Sequence, residues 1–246
     1  MRGLLIALQF MTRIPISYKF QLSEKDLGNS SRYFTLVGFI IGIILFFTYK
    51  AGILLLPPVV VGAIVIIMQI IITGGIHLDG FMDTMDGLLS ARPKEKVMEI
   101  MKDSRVGAHS VTALVALLIL KYSIIVSLPK GYAPVFLLLM PVLGRWMLLY
   151  CLAFFPYAKK EGLGKIFWQN TSKSCWYLSA IFVLLVFIIF LPIFYLFSIL
   201  ITFLIILTPA LIINKHLMGH TGDTYGAINE LTEVIFILVC LVLLKF

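Results

Sequence analysis

The sequence predicts an all-α, polytopic integral membrane protein with about seven transmembrane helices and a cytoplasmic N-terminus. Of its 246 residues, 61% are hydrophobic and 13% are charged, about half of the charged fraction of an ordinary soluble domain. Apolar runs long enough to cross a hydrocarbon core about 30 Å thick recur along the chain. These runs do not alternate between polar and apolar residues, which argues against a membrane β-barrel.

The apolar runs divide into separate spans at prolines and short polar turns. Pro57 and Pro58 separate the first two spans, and Leu191-Pro192 separates the fifth from the sixth. The predicted spans are 33–56, 58–76, 107–128, 132–153, 175–190, 193–213 and 232–246. The short apolar stretch 3–11 follows Arg2, and we expect an interfacial helix there rather than a cleaved signal peptide.

The basic residues predict the orientation. Fifteen of the twenty lysines and arginines lie on one predicted side, in residues 1–32 and in the loops 77–106, 157–174 and 214–231. The other side holds only Lys50, Lys121 (near a span end), Lys130 and Lys245. Positive residues favour the cytoplasm, so the net charge of +8 indicates topology rather than nucleic-acid binding.

The acidic residues and histidines support the same orientation. Every Asp and Glu and all four histidines fall on the half of the chain assigned to the cytoplasm. No acidic residue is expected at the middle of a span, where transporters usually place an ion site. The distribution therefore favours an enzyme whose active site opens to the cytoplasm. The three cysteines, Cys151, Cys175 and Cys240, have no metal-binding spacing and are expected to be small buried hydrophobes.

The most informative segment is 73–87, Thr-Gly-Gly-Ile-His-Leu-Asp-Gly-Phe-Met-Asp-Thr-Met-Asp-Gly. Its spacing places Asp79, Asp83 and Asp86 on one face of a helix. Carboxylates about 5 Å apart repel each other by roughly 3 kcal/mol per pair at an effective dielectric constant near 20. A divalent cation would relieve that repulsion, and hard oxygen ligands favour Mg²⁺ or Mn²⁺. The alternative is a solvated acidic helix end, which the four glycines of the segment make less attractive.

Further polar candidates lie outside this segment. Asp103 is a candidate for completing the metal site, and Arg105 for binding a phosphate. Taken alone, their segment 102–109 also fits ordinary helix capping and anchoring at the membrane surface. Lys159 and Lys160 lie in a glycine-containing basic loop that suits phosphate contacts, although an ordinary juxtamembrane loop has the same composition. Arg145 lies within an apolar span, where a cation is costly and is usually functional or paired.

Together, the carboxylates and cations at one membrane boundary indicate metal-assisted phosphoryl transfer. The P-loop motif is absent from the sequence. The pattern Thr-Gly-Gly-x-His-Leu-Asp-Gly-x-x-Asp-Thr-x-Asp-Gly, followed by Asp-Ser-Arg-x-Gly, resembles the adenosylcobinamide-GDP ribazoletransferase (cobalamin-5′-phosphate synthase) family. Shorter matches, in family order, are Thr-Arg-Ile-Pro at 12–15, Pro-Tyr-Ala at 156–158, Gly-Leu-Gly at 162–164 and Gly-His-x-Gly-Asp-x-Tyr-Gly-Ala at 219–227. The sequence departs from the family pattern at 108–110, Ala-His-Ser, where a less polar continuation is expected.

The resemblance implies a multi-pass enzyme of the inner cell membrane that acts late in cobalamin biosynthesis. Such an enzyme joins adenosylcobinamide-GDP to α-ribazole or α-ribazole 5′-phosphate, releases GMP and requires Mg²⁺. Residues 1–246 would form a single membrane-embedded catalytic domain, with 1–32 as its cytoplasmic or interfacial N-terminal segment. On this hypothesis Asp79, Asp83 and Asp86 hold Mg²⁺, and the candidate general base is His77 or a carboxylate that is not bound to the metal. The residues expected near substrate phosphates are Arg13, Arg105, Arg145, Lys159, Lys160, His220 and Asp223.

Two alternatives remain open at this stage. A CDP-alcohol phosphotransferase also uses aspartates and Mg²⁺ at the membrane edge, but Asp83 stands where its motif has alanine. A cation-coupled transporter would use the aspartates as an ion site, which the almost uncharged outer half of the chain argues against.

Overall fold

The structure is a computed structural model that describes residues 2–16 and 23–245, and these residues form twelve α-helices. In chain order the helices are α1 (Arg2–Met11), α2 (Glu24–Asn29), α3 (Phe34–Leu55), α4 (Pro58–Thr73), α5 (Ile76–Leu89), α6 (Lys94–Ile100), α7 (Ala108–Ser127), α8 (Ala133–Phe154), α9 (Leu163–Asn170), α10 (Lys173–Phe190), α11 (Leu196–Leu217) and α12 (Gly222–Leu243). Short 3₁₀ turns precede α3 and α11.

The helix lengths and apolar composition confirm the polytopic membrane fold. Within the described residues, six helices are long and apolar enough to cross a membrane, and a seventh span results if the bent pair α4–α5 is counted as one. The helix α8 lies at the centre of the bundle, because 89% of its apolar stretch is buried in the protein, against 22% for α10. The predicted helix over 3–11 is confirmed as α1, and all three cysteines are free, with Cys151 and Cys240 buried.

Two consecutive glycines end α4 and turn the chain into α5. Gly74 (φ 63°) and Gly75 (φ 71°) both have the left-handed backbone conformation that other residues rarely adopt. The axes of α4 and α5 consequently differ in direction by 94°. The spanning segment therefore ends at Thr73 rather than at 76 as predicted, and the acidic helix α5 does not continue it.

The helix α12 begins ten residues before the predicted last span, which was placed at 232–246. Thr221 caps it, because its hydroxyl accepts from the amide of Thr224, and the Thr224 hydroxyl accepts from the amide of Thr221. This reciprocal capping box satisfies two of the free amides at the helix start. Asp223 consequently lies in the first turn of the helix that also carries Glu230 and Glu233.

Contacts between chain segments gather the polar residues at one end of the bundle. We call this the polar end; it is where α3, α7, α10 and α12 begin and where α8 and α11 end. At this end the hydroxyls of Ser31 and Thr171 form a hydrogen bond of 2.8 Å with each other. Tyr157 and His220 pair there as an isolated parallel β-bridge.

A buried charge network crosses the interior of the bundle. The network comprises Lys121 of α7, Arg145 of α8, and Glu230 and Glu233 of α12. Lys121 Nζ lies 2.7 Å from a Glu233 carboxylate oxygen and 3.3 Å from one of Glu230, and Arg145 donates to the other Glu233 oxygen. All four side chains are at most 6% exposed.

This network corrects two expectations. Lys121 was assigned to the outer side near a span end, but it lies inside the bundle and faces two acids. The expectation that no acidic residue lies at the middle of a span is also wrong, because Glu230 and Glu233 lie near the middle of the lengthened α12. The two cations balance the two anions, which is the condition under which buried charges are tolerated.

Candidate active site

The candidate site is built where α5 crosses the first turns of α12. Two glycines allow this close contact: a Cβ at Gly80 would lie 2.7 Å from the backbone oxygen of Asp223, and a Cβ at Gly226 would lie 3.0 Å from that of His77. The crossing places the next turn of α5, with Asp83, beside the start of α12. Any larger residue at Gly80 or Gly226 would force the two helices apart.

We expect Gly80→Ala to reduce turnover by roughly 100-fold, because a displacement of about 1 Å at the site has effects of that size. The added methyl group meets backbone atoms of Asp223, which cannot rotate away as a side chain could. The rate at which the purified protein releases GMP, the product that the family resemblance implies, measures the effect. Gly131→Ala is the matched control, since a Cβ there meets nothing within 4 Å. Equal rates for the two variants would show that the crossing does not position the site.

The three α5 carboxylates lie along one side of the helix, and a fourth faces them. Asp79 is exposed, whereas Asp83 and Asp86 are half-buried. Burial, together with the negative charges of Asp223, Asp79 and Asp86, raises the pKa of Asp83 to about 6, against the opposing effect of Lys159. Asp83 therefore lies at the centre of a concentration of negative charge that α5 and α12 form together.

Asp86 occupies the junction between α5 and α7. Its carboxylate lies against Gly107, where any Cβ would collide with both carboxylate oxygens. Gly107 is the N-cap of α7, and the partial positive charge of a helix N-terminus favours a carboxylate at that position. Within residues 2–16 and 23–245, no three His, Cys, Asp or Glu side chains already converge on a point where a metal ion would bind.

Lys159 and Tyr157 approach the cluster from the loop after α8. Lys159 Nζ donates to Asp223 at 2.8 Å, and the Thr221 hydroxyl donates to the same carboxylate oxygen at 3.3 Å. The loop is held by two backbone hydrogen bonds of 2.8 Å, from Ala158 to the His220 carbonyl and from His220 to the carbonyl of residue 156. Burial and the nearby Asp223 raise the pKa of Tyr157 above its usual value.

Asp79 lines two cavities. The first, which we call the Arg13 groove, has a volume of about 580 Å³ and is lined by Arg13, Thr12, Gly74, Gly75 and Asp79. Arg13 lies against Gly74, and its backbone amide donates to the Ile72 carbonyl at 2.6 Å. The groove thus combines one guanidinium, backbone at two glycines and one carboxylate.

The second, the aromatic cavity, has a volume of about 230 Å³ and is lined by both acidic and apolar side chains. Its acidic residues are Asp79 and Asp223, and its apolar walls include Phe10, Phe34 and Phe167. The ring centroids of Phe10 and Phe34 lie 4.6 and 5.2 Å from that of Phe167. The cavity is suited to a planar apolar group with a polar edge that faces the carboxylates.

His77 also lines the aromatic cavity, but its geometry argues against a role as general base. Its Nδ1 lies 3.3 Å from the Arg145 guanidinium, which can only donate. Nδ1 must therefore be the unprotonated nitrogen, so a neutral ring carries its proton on Nε2. In this state His77 is a hydrogen-bond donor, and a proton acceptor has to be sought among the carboxylates.

Other predicted site residues lie away from the cluster or are already engaged. Asp103 accepts three hydrogen bonds from the Arg105 side chain and one from its amide, which hold the pKa of Asp103 at about 2. Arg105 is 88% exposed and Lys160 is exposed as well. Both remain available to a substrate.

Two predicted phosphate contacts are corrected. Arg145 is fully buried and bonded to Glu233, so its charge is neutralised inside the bundle. His220 is fully buried too, with Nε2 3.2 Å from the Ala210 carbonyl and Nδ1 3.1 Å from the Thr224 hydroxyl. Neither side chain is therefore accessible to a phosphate group of a substrate.

Sequence reasoning predicted Asp223 as a phosphate contact but did not place it near Asp83. In the structure Asp223 lies near enough to Asp83 for its negative charge to raise the pKa of that carboxyl. A sequence signal existed, because Thr221-Gly-Asp-Thr224 has the pattern of a capped helix start. Reading that pattern would have placed Asp223 on α12, but not beside α5.

Comparisons with known proteins show which family the chain belongs to. The family model for cobalamin-5-phosphate synthase matches residues 3–241. The chain is 38% identical over 243 residues to an adenosylcobinamide-GDP ribazoletransferase of Desulfitobacterium hafniense (strain Y51), covering 97% of this chain and 96% of the relative. It is 40% identical over 245 residues to the protein of that name in Clostridium botulinum (strain Okra / Type B1), covering 97% of each. No solved structure is significantly similar to the chain. The chain belongs to the cobalamin-5-phosphate synthase family.

Proposed function

We propose that the chain transfers the adenosylcobinamide phosphate group from adenosylcobinamide-GDP to α-ribazole or α-ribazole 5′-phosphate and releases GMP, in a Mg²⁺-dependent reaction. The observation that carries the proposal is the crossing of α5 and α12, which surrounds Asp83 with the negative charge of three other carboxylates. The relatives bear the name of this activity over nearly the whole chain. The reaction is a phosphoryl transfer, in which positioning and neutralisation of charge supply most of the catalysis.

The donor set suits a hard divalent cation. Asp79, Asp83 and Asp86 provide only carboxylate oxygens, which Mg²⁺ prefers. Burial and the neighbouring carboxylates raise the pKa of Asp83, so a bound cation would offset negative charge that is unfavourable there. Mg²⁺ bound there would neutralise charge on the pyrophosphate of adenosylcobinamide-GDP.

The chain's own residues account for the remaining requirements. Arg13 would bind phosphate oxygens in its groove, and Lys159 would offset negative charge beside Asp223. The aromatic cavity would hold the planar apolar base of α-ribazole, with the ribose directed towards the carboxylates. The ribose 3′-hydroxyl attacks the phosphorus on the cobinamide side, its proton passes to a carboxylate, and GMP leaves with the electron pair of the broken P–O bond.

We further propose that the polar end faces the cytoplasm of a bacterial cell, with the enzyme in the inner membrane. The excess of Lys and Arg in the connections at this end supports the orientation. The nucleotide substrate is charged and would then meet the site without crossing the bilayer. A transporter is not favoured, because the acidic residues inside the bundle are balanced by Lys121 and Arg145.

We expect the purified, reconstituted protein to release one GMP per cobalamin product from adenosylcobinamide-GDP and α-ribazole 5′-phosphate. EDTA should stop the reaction and Mg²⁺ should restore it, because the carboxylates require a counter-charge. Chromatography of both products measures the stoichiometry, and inside-out vesicles should accept added substrate where right-side-out vesicles do not. CDP-diacylglycerol with an alcohol acceptor is the control and should yield no CMP. Full activity in EDTA would refute the requirement for a metal ion, and release of CMP from the control substrate would refute the proposed substrate class.

A further inference from the structure

A third cavity lies at the polar end, apart from the catalytic cavities. It has a volume of about 430 Å³ and lies between the start of α3, the end of α9 and the start of α10. We call it the α3–α10 pocket; the lining residues used below are Arg32, Thr35, Leu36, Ser174, Leu178 and Phe182. It shares no lining residue with the Arg13 groove or the aromatic cavity.

The mouth of the pocket carries uncompensated positive charge. The Arg32 side chain is oriented by two hydrogen bonds to Asn29, at 3.0 Å to its carbonyl and 3.1 Å to its side-chain oxygen. Across the described chain, residues 2–16 and 23–245, no ion pair joins Arg32 to an acid. The mouth also includes Ser174, in the first turn of the 18-residue helix α10, where the helix dipole adds partial positive charge.

A buried hydroxyl in the pocket wall points independently to a polar ligand. Thr35 is only 2% exposed, and its Oγ1 has no hydrogen-bond partner within the described residues. A buried hydroxyl without a partner is unfavourable. Rotation of the Thr35 side chain towards the pocket would let a ligand oxygen accept from this hydroxyl, so the wall is complementary to a group that accepts hydrogen bonds.

Deeper in the pocket the wall becomes apolar. Leu36 of α3 and Leu178 and Phe182 of α10 line this part, and Leu178 is 69% exposed. Phe39 closes the space further along α3, where its ring centroid lies 6.0 Å from that of Phe182. Since both helices span the membrane, this apolar part faces the hydrocarbon region just below the polar mouth.

From this arrangement we infer that the α3–α10 pocket binds an anionic glycerophospholipid of the surrounding leaflet. The phosphate lies at Arg32 and the start of α10, an oxygen of the ligand accepts from Thr35, and an acyl chain follows Leu178 and Phe182. A free phosphate would satisfy the polar contacts but would leave the apolar wall uncovered. The inference does not depend on the proposed reaction.

The test compares lipid-dependent shifts in melting temperature in neutral detergent. Phosphatidylglycerol should raise the Tm of the wild-type protein more than phosphatidylcholine with identical acyl chains, and inorganic phosphate should have no effect. Arg32→Gln should weaken phosphatidylglycerol binding about tenfold, because one charged hydrogen-bond donor is lost, and should abolish the difference between the lipids. Native mass spectrometry should detect one retained phosphatidylglycerol in the wild type and none in the variant.

Thr35→Val provides a second variant that tests the pocket without the charge. Its hydroxyl has no partner to lose, so its Tm in phosphatidylcholine should match that of the wild type, whereas the gain from phosphatidylglycerol should shrink. Lys102→Gln removes an exposed charge at the polar end and is the control that should keep the full gain. Three results would each overturn the inference. They are an undiminished rise in Tm with phosphatidylglycerol in Arg32→Gln, a complete loss of that rise in Lys102→Gln, and an equal rise in Tm of the wild type with inorganic phosphate.

Discussion

Asp83→Asn is expected to lower kcat by at least about 100-fold while the protein folds normally. The site depends on the charge of this carboxylate, and loss of a group that binds or neutralises a reacting phosphate has effects of this size. Asparagine keeps the shape of the side chain. Because the pKa of Asp83 is raised, ionised Asp83 destabilises the folded protein above that pKa, and its loss should leave Tm unchanged or slightly higher. The rate of GMP release and the Tm measure the two effects.

Glu99→Gln is the matched control for the loss of a carboxylate at the polar end. Glu99 lies on α6 with its side chain 70% exposed, and its only partner in the described chain is Lys96 of the same helix. The variant should retain wild-type activity, because an exposed ion pair contributes little. A turnover of Asp83→Asn within threefold of wild type would remove Asp83 from the site, and a lowered Tm would mean that its role is structural.

Glu233→Gln is expected to destabilise the protein by about 3–5 kcal/mol, the usual consequence of removing one partner from a buried ion pair. Glu233 accepts from Lys121, Arg145 and Gln69, so the variant leaves two buried cations facing Glu230 alone. A chain of this length should lose roughly 10 °C in Tm. Thermal unfolding in detergent, followed by far-ultraviolet circular dichroism, measures the shift.

The double variant Arg145→Met/Glu233→Gln tests the cause of that loss. It removes one charge of each sign, and the remaining Lys121 and Glu230 keep their ion pair of 3.3 Å. Most of the lost stability should return, because an uncompensated charge costs more than the pair itself contributes. A double variant as unstable as Glu233→Gln would show that packing, rather than charge balance, sets the stability of the network.

The helical class and most span positions could be predicted from hydropathy, because membrane spans require long apolar segments. The start of α12 could not, since residues 222–231 contain polar groups that a hydropathy profile treats as a loop. Those groups are accommodated in the helix by the Thr221 cap and by partners on other helices. The predicted position of Lys121 was wrong because its two acidic partners lie on a helix distant in sequence, so nothing near Lys121 in the sequence indicates that its charge could be buried.

The α5 part of the candidate site followed from the spacing of its three aspartates, which a helix converts directly into one face. The contribution of Asp223 did not follow, because it depends on the close contact between α5 and Gly226 of α12. The prediction that Arg145 contacts a phosphate was wrong for a different reason. Sequence reasoning recognised that a cation in a span is functional or paired, but only the fold shows that Glu233 is the partner.

The buried charge network has a consequence for biosynthesis. Lys121 and Arg145 lie on helices that leave the ribosome before α12, which carries both of their acidic partners. Each cation inserts into the bilayer at a cost of about 2.5–3.5 kcal/mol at mid-depth. The nascent bundle therefore contains two unmatched positive groups until α12 arrives, so a segment synthesised later completes the packing of the earlier ones.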